Sequence, residues 1–471
     1  MIRWDGSDVV LHSDASVDVD ADVVSGLRGV RVVFPQPWVA SPAAISDEGV
    51  EQVWTFSSDG ASVSALVTHT FVSSWAMSVV ITNDSPVAVS VPPCEVVFEA
   101  DWPTVVWLAG ASGFVVGPPA PDGRVLALRQ LRGSSRLSEG RRWVADLPVV
   151  LGPGGTGASQ YRVHWRGEWL AHHREVATLL PAWWPERTAL ESGDLLPLRL
   201  PDAAITAAGV HLIEEDDLVW LTARDGRHLA QVHSGVGSQD VHLWWAPSLP
   251  FELTQRVEPV VTADPRLATG VDAWLVARAL AWGVARDQRT AREWLQAASE
   301  ELAARPRCAD VLTAAAVTQA SAILHDADLF DVAVEWTDAL PVQPGLPRLV
   351  VSLHIAGLSL GLDGPRRRPG VPVDPVERAL VAVETACLSG TPTPTGEAWL
   401  VGSLLGAGLP GETTDHLTRA RACSALALAP ESWDFTTRWP ASLPVVIEDA
   451  HRRLLAEGCD DEAFAWLLWD D

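Results

Sequence analysis

Lysine is absent from this 471-residue chain, so all 34 basic side chains are arginine. An enzyme that forms a Schiff base through a lysine amine is therefore excluded. The phosphate-binding lysine of a Walker A loop is missing too, because Ala158 and Ser159 stand where the Gly-rich segment would need Lys and Ser or Thr. Lysine-dependent chemistry is thus ruled out before any other motif is considered.

Asparagine, tyrosine and methionine are almost as scarce. The chain has one Asn (Asn83), one Tyr (Tyr161) and two Met, against 23 Trp. Lys, Asn, Tyr, Ile and Met use AT-rich codons, so a high-GC bacterial genome explains the bias. Selection against modifiable lysines is the alternative explanation.

Net positive charge is missing as well, since 60 acidic side chains outnumber the arginines and leave a formal net charge of −26. Such a chain is repelled by nucleic-acid phosphates and anionic lipid surfaces, so we expect neither partner. The five cysteines are scattered without a CxxC pair, which argues against a zinc ribbon or a redox dithiol. The N-terminus MIRWDGSDVV lacks the apolar core of a signal peptide, so we expect a cytoplasmic protein.

Hydrophobic residues make up 48% of the chain, which is ample for a packed core. Apolar and polar residues alternate over Ser62–Val67 and Trp75–Ile81, the period of half-buried strands. Turn residues at Asn83–Pro86 predict a meander that continues into Val87–Val91. Asp225–Gly226 predicts a two-residue hairpin. Many short strands at this spacing favour an antiparallel sandwich over a parallel sheet.

Beyond Pro265 the apolar residues follow the spacing of amphipathic helices. Thr290 and Glu293 are a candidate capping box at the start of one helix, and Pro306 marks its end. Further helices are predicted near residues 271–286, 308–325, 327–339, 374–389, 395–407, 413–427, 444–457 and 460–469.

These patterns predict an α+β multidomain fold. An N-terminal antiparallel β-sandwich is expected over residues 1–260, with sub-sheets at 1–150 and 160–260. A C-terminal all-α helical array of the α/α type is expected over residues 265–471.

The segment HWRGEWLAHHRE places His164, Glu168 and His172 four residues apart, which on a helix would gather ligands for a transition metal. In Tyr161–Arg166, however, apolar and polar residues alternate, and this period favours a strand with His164 on a solvated face. We therefore expect no metal and no cofactor.

Gly357–Gly361 matches the G-x-S-x-G nucleophile elbow, a motif that needs a strand before it and a helix after it. It lies in a helical region here, so we expect no hydrolase. The acidic segment HDADLFD, with Asp326, Asp328 and Asp331, is the only candidate for a cyclase or transferase cluster, and helix capping explains it equally well.

Two charged runs have both a functional and a structural interpretation. Glu214–Asp217 could bind Ca²⁺, but it lacks EF-hand spacing and is typical of a charged hairpin tip. One basic stretch could form an anion site or an internal docking face, with a solvated hairpin as the alternative. Its members are Arg124, Arg129, Arg132, Arg136, Arg141 and Arg142.

Two pairs of adjacent tryptophans, Trp183–Trp184 and Trp244–Trp245, are the strongest candidates for a binding site. Neighbouring residues of a strand face opposite ways, so one ring of each pair should lie in the core and the other at the surface or at a domain seam. Exposed large aromatics often mark binding surfaces. Replacement of Phe and Tyr by Trp under codon bias is the alternative.

No group of residues has the spacing of a catalytic centre. The leading interpretation is therefore a non-catalytic binding or scaffold protein that recognises another protein through an aromatic-lined face or the interdomain seam. In layout, the chain resembles carbohydrate-active enzymes with an N-terminal sandwich and an α/α barrel, and ITNDSPVAVSV looks like the second-sheet strands of such sandwiches. The alternative is a carbohydrate-active enzyme, or an inactive relative of one, with a carbohydrate-like ligand.

Overall fold

Three buried clusters of apolar side chains organise the computed structural model of the chain. One fills a β-sandwich, one a smaller β module, and one the helical array. The structure describes residues 1–21, 25–58, 60–100, 105–106, 113–117, 124–133, 135–138, 142–145, 149–171, 175, 178–179, 181, 183–185, 187–200, 203–234, 237–308, 310–365, 370–391, 395–406, 415–429 and 443–469.

The β structure occupies the N-terminal part of the chain. The sandwich contains β1 (Ile2–Trp4), β2 (Ser7–Leu11), β3 (Val17–Ala21), β4 (Ser25–Val33), β5 (Val39–Ala40), β6 (Ala44–Ile45), β7 (Gly49–Ser58), β8 (Ala61–Phe71), β9 (Trp75–Asn83), β10 (Val89–Val91), β11 (Glu95–Ala100), β12 (Val105–Val106), β13 (Gly113–Gly117), β14 (Val125–Arg132), β15 (Ser135–Ser138), β16 (Arg142–Ala145), β17 (Val149–Leu151) and β18 (Gln160–Leu170). The β module contains β19 (Ala189–Glu191), β20 (Leu196–Arg199), β21 (Ala203–Ala207), β22 (Val210–Glu215), β23 (Leu218–Ala223), β24 (Gly226–Ser234) and β25 (Gly237–Ala246).

Two antiparallel sheets share the core of the sandwich. A seven-stranded sheet has the order β1-β2-β3-β4-β11-β16-β15. A nine-stranded sheet has the order β12-β13-β14-β18-β9-β8-β7-β5, with β6 also paired to β7. Every second residue of β8 and β9 is buried, among them Val67, Trp75 and Met77, so the alternation seen in the sequence produces the inner face of the larger sheet.

The meander ends at Asn83, and the prediction that Val87–Val91 continues it is wrong. The buried side chain of Asn83 donates to the backbone oxygens of Val87 and Gly152 at 2.7 Å each, and it accepts from the backbone nitrogen of Ser85. These bonds satisfy buried backbone groups where the chain leaves the nine-stranded sheet after β9. Strand β10 then pairs with β17 and not with β9.

The β module combines a four-stranded sheet, β19-β25-β24-β21, with a three-stranded sheet, β20-β23-β22. Asp225–Gly226 connects β23 to β24, which belong to different sheets, so the hairpin predicted there is wrong. The acidic run Glu214–Asp217 spans the turn between the paired strands β22 and β23, in agreement with its interpretation as a charged hairpin tip.

The helices follow the last strand. They are α1 (Leu249–Thr262), α2 (Gly270–Ala281), α3 (Gln288–Ala303), α4 (Val311–Leu324), α5 (Ala327–Ala339), α6 (Leu346–Leu360), α7 (Pro375–Ser389), α8 (Thr395–Gly406), α9 (His416–Ala427), α10 (Leu443–Ala456) and α11 (Asp461–Leu467).

Helices α1 and α6 differ from the sequence analysis, which assigned the first to β structure and did not identify the second. Pro250 lies in the first turn of α1, where a proline is tolerated, and Pro259 lies inside the helix, where it removes one backbone donor. In α6, Ile355 and Leu358 are 63% and 82% exposed, so its apolar residues do not form a single stripe.

The N-terminus of α3 also differs from its prediction. Asp287 caps this helix by accepting from the backbone nitrogens of Arg289 and Thr290. The capping box predicted at Thr290 and Glu293 is therefore wrong, because Glu293 pairs with Arg289 instead. Aspartate is as favourable an N-cap as threonine, so the sequence contained the correct signal.

The α+β multidomain fold class is confirmed, with antiparallel sheets in the N-terminal part and helices in the C-terminal part. In the described ranges, no helix has the length and apolarity needed to cross a membrane.

Candidate functional site

The sandwich, the β module and the helical array meet at one junction. Ala127 of β14, Leu170 of β18 and Ala246 of β25 are all buried in the apolar cluster of the helical array. Leu126 and Leu128, the neighbours of Ala127, lie in the sandwich core. The outer face of the nine-stranded sheet is therefore covered at this end by the rest of the molecule.

Farther along β18, the same outer face opens to solvent and becomes cationic. Val163 and Trp165 point into the sandwich core, so Arg162, His164 and Arg166 point outward. Arg162 and Arg166 are exposed and His164 is half-buried. We call Arg129, Arg132, Arg162, His164 and Arg166 the cationic row.

The register of β14 against β18 places two arginines opposite each other. Arg129 is the partner of Arg166, and Arg132 is the partner of His164 across a bulge. Like charges directly opposite on neighbouring strands destabilise a sheet. The row therefore favours an anion that bridges the two strands.

The carboxylate of Glu168 partly neutralises the closed end of the row. Glu168 approaches Arg129 with 3.4 Å between Nε and Oε1, and both side chains are partly exposed. An ion pair at such a position contributes little to stability. Glu168 and Arg129 thus lie at the end of the row that adjoins the covered part of the sheet.

Burial lowers the pKa of His164 from its ordinary value of 6.5. The imidazole is therefore neutral at pH 7 and can accept a proton. On the neighbouring strand β9 its partner is Ser78, whose hydroxyl lies 2.7 Å from that of Thr68. A neutral base thus lies between guanidinium groups and a hydroxyl-rich sheet surface.

In the structure, the arginines of the basic stretch predicted from the sequence lie in different places. Arg129 and Arg132 belong to the cationic row, whereas Arg124 pairs with Asp5 at 2.6 Å. Arg136 and Arg142 lie on β15 and β16 of the seven-stranded sheet, and Arg141 lies outside the described residues. Sequence reasoning missed Arg162 and Arg166, although their alternation with Val163 and Trp165 already placed them on one face.

Trp244 and Trp245 occupy opposite faces of β25, and they are 1% and 0% exposed. Trp245 lies in the core of the β module and donates its indole N–H to the backbone oxygen of Asp194. The guanidinium of Arg453 on α10 lies over the ring of Trp244, 4.6 Å from its centre. A ligand could reach either ring only by displacing these neighbours.

Trp183 and Trp184 lie in a loop rather than a strand, so the alternation assumed for them does not apply. Both are half-buried against the core of the β module, with ring centres 5.8 Å apart. The loop connects the end of β18 to β19, and β19 pairs with β25 at the junction. These two rings are therefore half-buried on the β module.

Two other motifs have structural roles. Gly357–Gly361 forms the C-terminal turn of α6, where the hydroxyl of Ser359 donates to the backbone oxygen of Ala356. Asp326 caps α5 by accepting from the backbone nitrogens of Asp328 and Leu329. A nucleophile elbow is therefore absent at Gly357–Gly361, and HDADLFD is explained by capping.

Segment Gln160–Leu170 is a strand, as its alternation predicted, and it places His164 and Glu168 on one face. Along a strand, residues four apart are separated by about 13 Å, too far to share a metal ion. His172 lies outside the described residues. The described residues contain no group of three or more metal-ligating side chains.

No family model and no curated protein matches this sequence. Among solved structures, a polysaccharide lyase has a similar fold, with a TM-score of 0.61 over 97% of this chain and 93% of that chain. The two sequences are 10% identical. At this identity, the likeness extends to the fold alone.

Proposed function

We propose that this protein is a carbohydrate-active protein that binds an acidic polysaccharide along the cationic row. The observation that supports it is the placement of a neutral His164 among the guanidiniums of Arg132, Arg162 and Arg166. Guanidinium groups bind carboxylates in a bidentate manner. The fold shared with a polysaccharide lyase favours this proposal over a protein-binding scaffold.

The same geometry supports an elimination reaction on a uronate unit. The imidazole of His164 would take the proton from the carbon next to the carboxylate, and the electron pair would form a carbon–carbon double bond. The bond to the glycosidic oxygen would break, and that oxygen would take a proton from water. Arg162 and Arg166 would stabilise the negative charge that develops on the carboxylate.

The lone tyrosine is placed differently. Tyr161 packs against the sandwich core, on the face of β18 opposite to His164. Its phenol is therefore not part of the cationic row, and His164 is the proton acceptor in this proposal.

Ultraviolet absorbance of the unsaturated product tests the reaction. Polygalacturonate and polymannuronate should give a rising signal, whereas neutral dextran should give none. His164→Ala should lower the rate by about 100- to 10,000-fold, the usual contribution of a general base. His12→Ala, which removes a partly exposed histidine of the sandwich, is the control. Equal rates for His164→Ala and wild type would exclude His164 as the base, and no turnover would leave polysaccharide binding without catalysis.

A further inference from the structure

The outer face of the nine-stranded sheet continues beyond the cationic row as an uncharged surface. Inward residues of β8 and β9 are buried, and the residues that alternate with them point to solvent. On β8 these outward side chains are serines, threonines and Leu66, and on β9 they are Ala76, Ser78, Val80 and Thr82. The outward face of these two strands therefore carries no charged side chain, in a protein with a net charge of −26.

An apolar strip crosses this surface and begins beside the row. Val80 of β9 is the partner of Arg162 on β18 and of Leu66 on β8, and Leu66 is in turn the partner of Val53 on β7. Leu66 and Val53 are 38% and 41% exposed. We call Val80, Leu66 and Val53 the apolar strip. Neighbouring strands lie about 4.8 Å apart, so the strip extends about 14 Å from Arg162.

Hydroxyl groups border the strip on both sides. The hydroxyls of Ser78 and Thr68 share a hydrogen bond of 2.7 Å on one side, and Ser64 and Thr82 lie opposite each other on the other side. Each hydroxyl can donate one hydrogen bond and accept two. The borders can therefore bind the hydroxyls of a sugar while the strip contacts its apolar groups.

A carboxylate at the far end of the strip disfavours acidic sugar units there. Glu51 is exposed and lies on β7 opposite Thr68, two residues from Val53 and on the same face. A ligand carboxylate over the strip would move away from the guanidinium of Arg162 and approach this like charge. A methyl-esterified uronate unit carries no charge, and its methyl group would remove apolar area of the strip from water.

We propose that the apolar strip binds methyl-esterified uronate units next to an acidic unit held by the cationic row. This specificity rests on the proposed function. The preferred ligand is then a partially esterified polyuronate, in which free carboxylates contact Arg162 and Arg166 and esterified units contact Leu66 and Val53.

Affinities for polygalacturonate and for its half-methyl-esterified form test the proposal. Leu66→Thr/Val53→Thr removes apolar area from the strip and keeps the sheet, because threonine is favourable in strands. Leu229→Thr/Val150→Thr makes the same changes at exposed positions of β24 and β17 and is the matched control. Glu51→Gln removes the carboxylate at the far end of the strip. Analytical ultracentrifugation gives the oligomeric state of wild type and of each variant.

Wild type should bind the half-esterified polymer at least as tightly as polygalacturonate, although the half-esterified polymer carries fewer charges. Leu66→Thr/Val53→Thr should weaken binding of the half-esterified polymer about threefold to tenfold, because apolar area is no longer buried against the ester. It should change the affinity for polygalacturonate by less than about twofold. Glu51→Gln should strengthen binding of polygalacturonate about twofold and leave the affinity for the half-esterified polymer unchanged. The control should match wild type with both polymers.

Three results would overturn the proposal, and they are distinguishable. If wild type binds polygalacturonate but the folded strip variant has the same affinities as the control, the specificity is wrong although the proposed function stands. If wild type binds neither polymer, the proposed function is wrong and the role of the strip falls with it. If wild type is a dimer that Leu66→Thr/Val53→Thr dissociates, a second copy of the chain covers the strip instead of a sugar.

Discussion

Single residues show how burial changes the chemistry of ordinary side chains. Burial lowers the pKa of His69 and of His242 to about 4, so both are neutral in the folded protein at pH 7. Both histidines would bind protons near pH 6.5 once unfolded. Their contribution to the free energy of unfolding is therefore complete above pH 6.5 and is lost as the pH falls towards 4.

Glu384 has the opposite dependence. Burial raises the pKa of this carboxyl from 4.5 to about 7, against the attraction of Arg348, the backbone N–H of Gly345 and Arg421. Between these two pH values the folded state binds more protons than the unfolded state. The stability contribution of Glu384 is therefore present below pH 4.5 and is lost as the pH rises through 7.

The variant Glu384→Gln isolates the contribution of this carboxyl to the pH dependence of stability. The free energy of unfolding of wild type, relative to Glu384→Gln, should fall by about 3 kcal/mol between pH 4.5 and 8. Urea unfolding at several pH values measures it, and the histidine contributions cancel because both proteins contain them. Glu377→Gln, on the first turn of the same helix, controls for the loss of a carboxylate. A pH-independent difference would contradict the burial of an ionisable Glu384.

At the level of elements, the sequence identified most helices because their apolar stripes and caps are local signals. The helix predicted near 327–339 has those bounds in α5, with Asp326 as its N-cap. Helix α1 contains two prolines, which argue against a helix from sequence alone, although Pro250 lies in the first turn, where a proline is tolerated. Strand β10 was misplaced because the hydrogen bond from Asn83 to Gly152 joins distant segments.

The candidate site could be predicted from the sequence only in part, because local patterns do not specify which distant strands pair. Alternation in Tyr161–Arg166 places Arg162, His164 and Arg166 on one face, and this is a local pattern. Their proximity to Arg129 and Arg132 depends on the pairing of β14 with β18, which no local pattern specifies. The burial of Trp244 beneath α10 likewise depends on the packing of elements far apart in the chain.

Two glycines with similar backbone angles distinguish the energetic cost of a left-handed backbone from the cost of a steric clash. Gly345 and Gly390 both have positive φ, 83° and 65°. A Cβ on Gly345 would lie 2.6 Å from the ring of Trp466, whereas one on Gly390 would have no neighbour within 4 Å. Gly390→Ala should therefore cost about 1 kcal/mol from the left-handed conformation alone.

Gly345→Ala should cost about 1 to 3 kcal/mol more, because the ring of Trp466 must also move. Chemical unfolding of the two variants measures both effects. Equal losses of stability would contradict the close contact between Gly345 and Trp466 at the start of α6.

At the scale of the whole molecule, charge is distributed unevenly over the surface. The chain carries a net charge of −26, yet one sheet face collects arginines from two strands beside the junction of its three parts. Acidic residues elsewhere repel polyanions, so the proposed polyanionic ligand would be attracted to this face in particular.

The most direct test is the affinity of wild type and of Arg162→Ala/Arg166→Ala for polygalacturonate at two salt concentrations. The control is Arg286→Ala/Arg289→Ala, which removes two exposed arginines of the helical array. The double variant in the row should bind at least about tenfold more weakly, because a hydrogen bond to a charged group contributes about 1.5 to 3 kcal/mol. It should also show a shallower dependence on salt, while the control matches wild type. Equal affinities for the two double variants, or a wild type that binds no polyuronate, would contradict the account.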